Sequence, residues 1–210
     1  MIKTGSIDLD IFIEGYKEEL NLIYGPPGSG KTTLCKLAAI ELLKQNKKVI
    51  YIDTENGFSI ERFKQLTNGS FAKLFDNLII IKVKNLNDQF EKVENIKKLN
   101  NISLVIIDSI GKFYRSTVKE NHKEINEQFV SHLNSLRGIS KNNTPVIITN
   151  QVYSDIINNK NIPLGGKIIK NFCKKIIELN MKPRKLALRK PEEKEILFEI
   201  IKEGIKIINP

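Results

Sequence analysis

The chain has no tryptophan and only two cysteines and two methionines among 210 residues. Cys35 and Cys173 have neither C-x-x-C nor metal-ligand spacing. That excludes a disulfide-stapled secreted scaffold and a cysteine-based metal site, and a reduced, cytoplasmic protein is expected. Cys35 reads as a small buried residue of a helix. Apolar runs stay far below the ~20 residues of a membrane span, and no signal-peptide pattern opens the chain, so no membrane partner is expected. Low-complexity linkers and internal repeats are absent too, so the length fits one α/β domain with a sizeable core. Arginine is scarce: five of the 34 basic residues. The formal net charge is nevertheless +10. Such an excess points to a polyanionic partner, while abundant Lys, Ile and Asn with little Arg is equally what an AT-rich genome produces.

What is present is organised around Gly25-Pro26-Pro27-Gly28-Ser29-Gly30-Lys31-Thr32, with Thr33 next. The spelling fits G-x-x-x-x-G-K-[ST], the phosphate-binding P-loop. Its glycines let the backbone turn tightly, so that N–H groups face phosphate oxygens. Lys31 is placed to reach the β- and γ-phosphates, and the Thr32 hydroxyl to ligate Mg²⁺. Leu20 to Tyr24 reads as a buried strand entering the loop. Residues 31–45 read as a helix with its N-terminus on the phosphates.

Short apolar runs then alternate with helical patterns. Strands are expected at Val49–Ile52, Leu78–Ile81, Leu104–Ile107 and Val146–Ile148. Helices are expected near 58–66, 86–99 and 120–138, and a short one capped by Thr4 or Ser6 before Gly15. Continuous apolar strands separated by helices predict a parallel sheet buried on both faces. From Gly165 onward, strands at 172–179, 185–188, 196–201 and 205–208 predict an antiparallel extension, with a hairpin turn at Lys202-Glu203-Gly204. The expected plan is a lead-in over 1–19, a nucleotide-binding core over 20–151, a loop over 152–164 and basic strands over 165–210.

Parallel strands gather loops and ligands at their C-terminal ends. Asp108, closing a hydrophobic strand beside a P-loop, is the candidate Mg²⁺ holder, directly or through water. Glu55 follows the second strand and can polarise a water, with Asp53 as a competing candidate. Gln151 follows the fifth strand, where a neutral amide can hydrogen-bond a γ-phosphate or serve as an ordinary polar strand end. A guanine-reading N-K-x-D pattern is missing, which favours ATP over GTP. An Arg-rich lid is missing as well, which argues against a small-molecule kinase.

T-G-S, G-P-P-G-S-G-K-T, Y-I-D-T-E with F-x-x-E-R, L-V-I-I-D-S, I-I-T-N-Q-V and P-L-G-G-K follow one another in that order. The whole chain thereby resembles the RecA-type recombinases of the archaeal RadA and eukaryotic branch. In length and spelling it looks most like the short archaeal paralogues of RadA. The resemblance implies a RecA-like ATPase core that binds ATP and Mg²⁺. It implies that Glu55 activates water, with Lys31 stabilising the phosphates, that Arg62 packs on adenine, and that Gln151 senses the γ-phosphate. It makes 110–120 and 152–164 the two DNA-binding loops, the second including Lys160. The family polymerises through a Phe-x-x-Ala segment ahead of the core. The chain begins at that core, so filaments by that route are not expected, although a homo-oligomer remains open. The implied function is accessory: weak ATPase, DNA binding without strand exchange, and modulation of the RadA-type recombinase or a Holliday-junction resolvase. The alternative is a KaiC-like ATP-dependent switch for a protein partner with no DNA role.

Residues 165–190 hold nine Lys or Arg against Glu178 alone. Lys167, Lys170, Lys174 and Lys175 are the candidate phosphate-backbone contacts, the last three sharing a face if the stretch is helical. Arg189 and Lys190 are candidates for reaching a neighbour's ATP in trans.

Overall fold

The computed structural model describes residues 1–69, 72–117, 122–155 and 160–208. Eleven strands and seven α-helices are found among them. The helices are α1 (Ile7–Ile13), α2 (Lys31–Leu43), α3 (Ile60–Leu66), α4 (Leu86–Ile96), α5 (Gly111–Thr117), α6 (His122–Lys141) and α7 (Gly166–Phe172). The strands are β1 (Leu20–Tyr24), β2 (Lys48–Asp53), β3 (Leu78–Lys82), β4 (Ile102–Asp108) and β5 (Val146–Asn150), then β6 (Val152–Asp155) and β7 (Lys160–Pro163). The last four are β8 (Lys175–Met181), β9 (Arg184–Lys190), β10 (Lys194–Ile201) and β11 (Gly204–Ile208).

Nine strands form one sheet in the order β11-β10-β9-β8-β1-β5-β4-β2-β3. β8, β1, β5, β4, β2 and β3 run parallel. β9, β10 and β11 continue antiparallel, as the sequence predicts. β1 sits near the centre, its five residues all buried. Alternate side chains of the central strands feed two apolar layers. Leu104 and Ile106 point to the layer of α2 and α3, with Leu34, Cys35, Phe63 and Phe198. Val105 and Ile107 point to the layer of α4, α6 and α7, with Val93, Phe129, Leu133 and Cys173. This period-two division is why the strands read as continuous apolar runs.

The helices follow local rules. Asn85 caps α4, its side chain accepting from Asp88 N at 2.9 Å. Ser59 caps α3, accepting from Arg62 N at 3.0 Å. Ile125, Phe129, Leu133 and Leu136 line the buried side of α6, at the spacing expected for a helix. At α1 the expected cap fails: Ser6 occupies the N-cap position without a capping bond from its side chain. Asp10 reaches back instead, its Oδ1 accepting from Thr4 N at 2.6 Å.

Three elements differ from the sequence expectation. α5 occupies the start of the first expected loop; the remainder, 118–120, lies outside the described residues. β6 and β7 pair antiparallel, so the ends of the second expected loop form a hairpin; Asn158 and Asn159 lie outside the described residues. The strand expected from Phe172 begins at Lys175, and a helix not expected there, α7, precedes it. α7 stops at Phe172 and Cys173 is extended, so Lys170 stands on a helix while Lys174 and Lys175 lead into β8.

Candidate nucleotide-binding site

β1 delivers Gly25 to the sheet's C-terminal edge, where Gly25 N donates to Asn150 O at 3.3 Å. A Cβ at Gly25 would lie 2.4 Å from Leu179 O, so only glycine fits between β1 and β8 there. Gly28 and Gly30 have φ of 73° and 110°, in the left-handed region that glycine tolerates. Pro26 is half-buried and Pro27 exposed on the loop's outer side. Lys31 opens α2 and is buried; its ammonium donates to Gly25 O at 2.8 Å and Pro26 O at 2.9 Å. Burial pulls its pKa down, while Asp108 and Glu55 oppose that shift. The buried hydroxyl of Ser29 has no partner among the described residues, an orphan inside the glycine-rich loop.

Asp108 ends β4 beside this cradle and collects three hydroxyls. Thr32 Oγ1 and Tyr51 OH donate to its Oδ2 at 2.7 and 2.6 Å. Thr149 Oγ1 donates to its Oδ1 at 2.5 Å. Burial, then the Asp108 charge, pushes the Tyr51 phenol well above its ordinary pKa, so it acts as a donor. A carboxylate and a threonine hydroxyl side by side are hard oxygen donors of the kind Mg²⁺ takes together with phosphates. Among the described residues no set of three or more His, Cys, Asp or Glu gathers as a metal cage.

Glu55 and Gln151, from different strand ends, meet: Gln151 Nε2 donates to Glu55 Oε1 at 3.0 Å. Ser109 Oγ donates to the same oxygen at 2.7 Å. Asp53, the competing candidate, is buried and serves the turn, accepting from Gly57 N at 3.1 Å and Phe58 N at 2.9 Å. Of these two carboxylates, Glu55 is the exposed one. Thr33 lies half-buried in the first turn of α2. Arg62 projects from α3 to the β10–β11 turn, donating to Ile201 O at 2.8 Å and Lys202 O at 2.9 Å. The antiparallel extension thus contacts α3, and Arg184 of β9 reaches the P-loop, donating to Gly28 O at 3.1 Å.

Sequence reasoning missed Tyr51, Thr149 and Ser109. The signals were present: Tyr51 and Asp53 are two apart on β2 and share a face, Ser109 directly follows Asp108, and Thr149 lies two residues before Gln151 near the end of β5.

The basic segment divides. Lys167 is exposed on the first turn of α7, and Lys170 is half-buried with its ammonium 5.1 Å from the Tyr24 ring centroid. Lys174 is exposed, but its N–H donates to Leu20 O, at the opposite end of β1 from the P-loop. Lys175 is a correction: it is 2% exposed, and its ammonium donates to Ile13 O and Gly15 O at the end of α1. It closes the helix rather than facing a nucleic acid. Lys160 begins β7, and its side chain lies outside the described residues. Arg189 pairs with Glu178 at 2.8 Å and Glu195 at 3.2 Å, and Lys190 donates to Lys170 O at 2.8 Å. Both cations proposed to act on a neighbour are engaged within their own chain.

A P-loop at the centre of a mostly parallel sheet, with carboxylates at the ends of nearby strands, defines a RecA-like fold. The family model described as Rad51 matches residues 1–206, and the chain belongs to that family. Within it, the chain is 37% identical over 203 residues to the DNA repair and recombination protein RadB of Methanococcus maripaludis strain C7, covering 92% of this chain and 94% of that one. It is 33% identical over 221 aligned positions to the protein of the same description from Methanoculleus marisnigri, covering 99% and 98%. A solved structure, described as the crystal structure of the RadB recombinase, superposes with a TM-score of 0.84 at 32% identity over all of both chains. The chain is thus a recombination and repair protein of the Rad51 family, similar to RadB. Among the described residues no helix is long and apolar enough to cross a membrane.

Proposed function

We propose that this chain binds ATP with Mg²⁺ and DNA, hydrolyses ATP weakly, and acts as an accessory factor in homologous recombination. The observation that carries the reading is the convergence of Lys31, Thr32, Asp108, Glu55 and Gln151 on one sheet edge. The orphaned Ser29 hydroxyl and the Lys31 ammonium, parked on loop carbonyls, are the groups that phosphates would engage. Mg²⁺ supplies charge neutralisation on the phosphates when it is bound. Thr32 and Asp108 would hold it. Lys31 turns from Gly25 O to phosphate oxygen and keeps its proton while doing so. Glu55 accepts a proton from the attacking water, and Ser109 keeps its carboxylate oriented. Gln151, released from Glu55, donates its amide to the terminal phosphate. Arg62, anchored by the β10–β11 turn, packs on the adenine.

DNA contact is assigned to the edge bearing α5, the β6–β7 hairpin and Lys167. The partners expected on this reading are the RadA-type recombinase and a Holliday-junction resolvase, sought by pull-down from the same cell. A salt titration of DNA affinity, with and without ATP, tests the central claim. Steep salt dependence with nucleotide-sensitive affinity is expected. Absence of binding at low salt removes the DNA role and leaves an ATP-dependent switch for a protein partner. Lys31→Ala should abolish ATP binding. Glu55→Gln should bind ATP and not hydrolyse it, and full turnover in that variant refutes the role given to Glu55.

A further inference from the structure

Thr54 joins the buried end of β2 to Glu55, and its neighbours hold it at every polar atom. Its N–H donates to Asp108 O at 3.0 Å. Its hydroxyl exchanges bonds with the Ser109 backbone, receiving from Ser109 N and donating to Ser109 O, both at 2.8 Å. Its carbonyl accepts from Lys112 Nζ. That carbonyl belongs to the peptide whose nitrogen is the Glu55 amide. Fixing it fixes the plane from which the Glu55 side chain departs. Ser109 Oγ fixes the other end, the carboxylate itself.

Lys112 is exposed on the first turn of α5. Its ammonium also lies 5.0 Å from the Phe113 ring centroid. A solvated lysine gains nothing from holding a long side chain against one carbonyl, because ordering it costs up to about 2 kcal/mol of rotamer entropy. A charge-assisted bond at the hinge of a reactive carboxylate gives that ordering a use.

We propose that Lys112 is a positioning residue for Glu55, tying the start of α5 to the Thr54–Glu55 peptide. A displacement of α5 is then transmitted to the carboxylate without any direct contact between them. The proposal rests on reading Glu55 as the group that activates water, and two readouts separate the two ideas.

The first readout is steady-state ATP hydrolysis. Lys112→Met keeps the stem and removes the charge; kcat should fall about tenfold or more, the effect of losing one hydrogen bond from a charged donor. KM for ATP should stay within about twofold, and Lys112→Arg should retain activity. An unchanged kcat, or a change confined to KM, overturns the proposal. The second readout needs no turnover. Amide hydrogen exchange over Thr54 to Phe58 should quicken about tenfold in Lys112→Met, with the P-loop amides unchanged. Unaltered exchange there overturns the proposal whatever the fate of Glu55. Full turnover in Glu55→Gln would instead remove the base assignment and leave the exchange result to decide about Lys112.

Discussion

Replacing Lys175 with methionine separates a structural lysine from a DNA-binding one. The ammonium is buried and bonded to the Ile13 and Gly15 carbonyls. Methionine retains the apolar stem but leaves two carbonyls without a donor, at about 1–3 kcal/mol each when no water reaches them. Two effects oppose that loss. Burial has already pulled the Lys175 pKa down, so removing the charge relieves a desolvation cost. A cavity of ≈ 200 Å³ lined by Ile13, Lys17, Lys174 and Lys175 borders the site and can admit water to the freed carbonyls. The net expectation is a destabilisation of about 1–2 kcal/mol, or about 2–8 °C in Tm for a chain of this size. Urea unfolding should show a lower midpoint with an unchanged m-value. The dependence of log Kobs for DNA on log salt should keep its slope. A true phosphate contact would remove about 0.9 from that slope. Lys167→Met should do the reverse, leaving stability alone and lowering the slope. Unchanged stability together with a reduced slope in Lys175→Met would refute the burial argument.

Two further outcomes follow from the packing. His132 is buried against Phe90 and receives a bond from Gln89 at 3.0 Å, and burial pulls its pKa from 6.5 down to about 3. The unfolded chain binds that proton first, so stability should fall as pH drops below 6.5, at up to about 1.4 kcal/mol per pH unit. His132→Gln should flatten the curve between pH 6.5 and about 5, above the carboxylate range, and an unaltered curve refutes the assignment. Gly25→Ala drives a Cβ to 2.4 Å from Leu179 O, a backbone atom that cannot yield cheaply. A loss of about 2–3 kcal/mol in urea unfolding is expected, and a loss under about 0.5 kcal/mol would show that β1 and β8 part easily.

The sheet was legible because strands buried on both faces carry continuous apolar runs, as Leu104–Ile107 in β4 and Val146–Ile148 in β5 do. The P-loop was legible because only glycine meets its backbone demands. Short elements were not. α5 and α7 have seven residues each, too few for a periodic pattern to stand out, although Ile110 and Tyr114 are one turn apart. Charge misled at Lys175 because a count of lysines carries no information about depth. Its place as the first residue of Lys-Ile-Ile-Glu-Leu, a strand closed to solvent, was the available clue. The site's carboxylates announced themselves by position. The hydroxyls on Asp108 did not, because Tyr51 and Thr149 are also ordinary strand residues, and only the sheet order brings them together.

The two cysteines lie on opposite sides of the sheet, Cys35 in the layer beneath α2 and Cys173 in the layer beneath α6 and α7. Both are fully covered, and burial pushes the Cys35 thiol well up and that of Cys173 to about 12. Neither thiolate forms at neutral pH while its layer is closed, so the folded protein resists thiol reagents. Reaction then occurs only through opening, and each sulfur reports a different half of the molecule. The chain carries its own pair of native probes. The rate at Cys35 follows the loosening of the helix behind the phosphate loop, and the rate at Cys173 follows the face that supports the hairpin. The difference between them, with and without nucleotide, measures how far one half of the protein can move without the other.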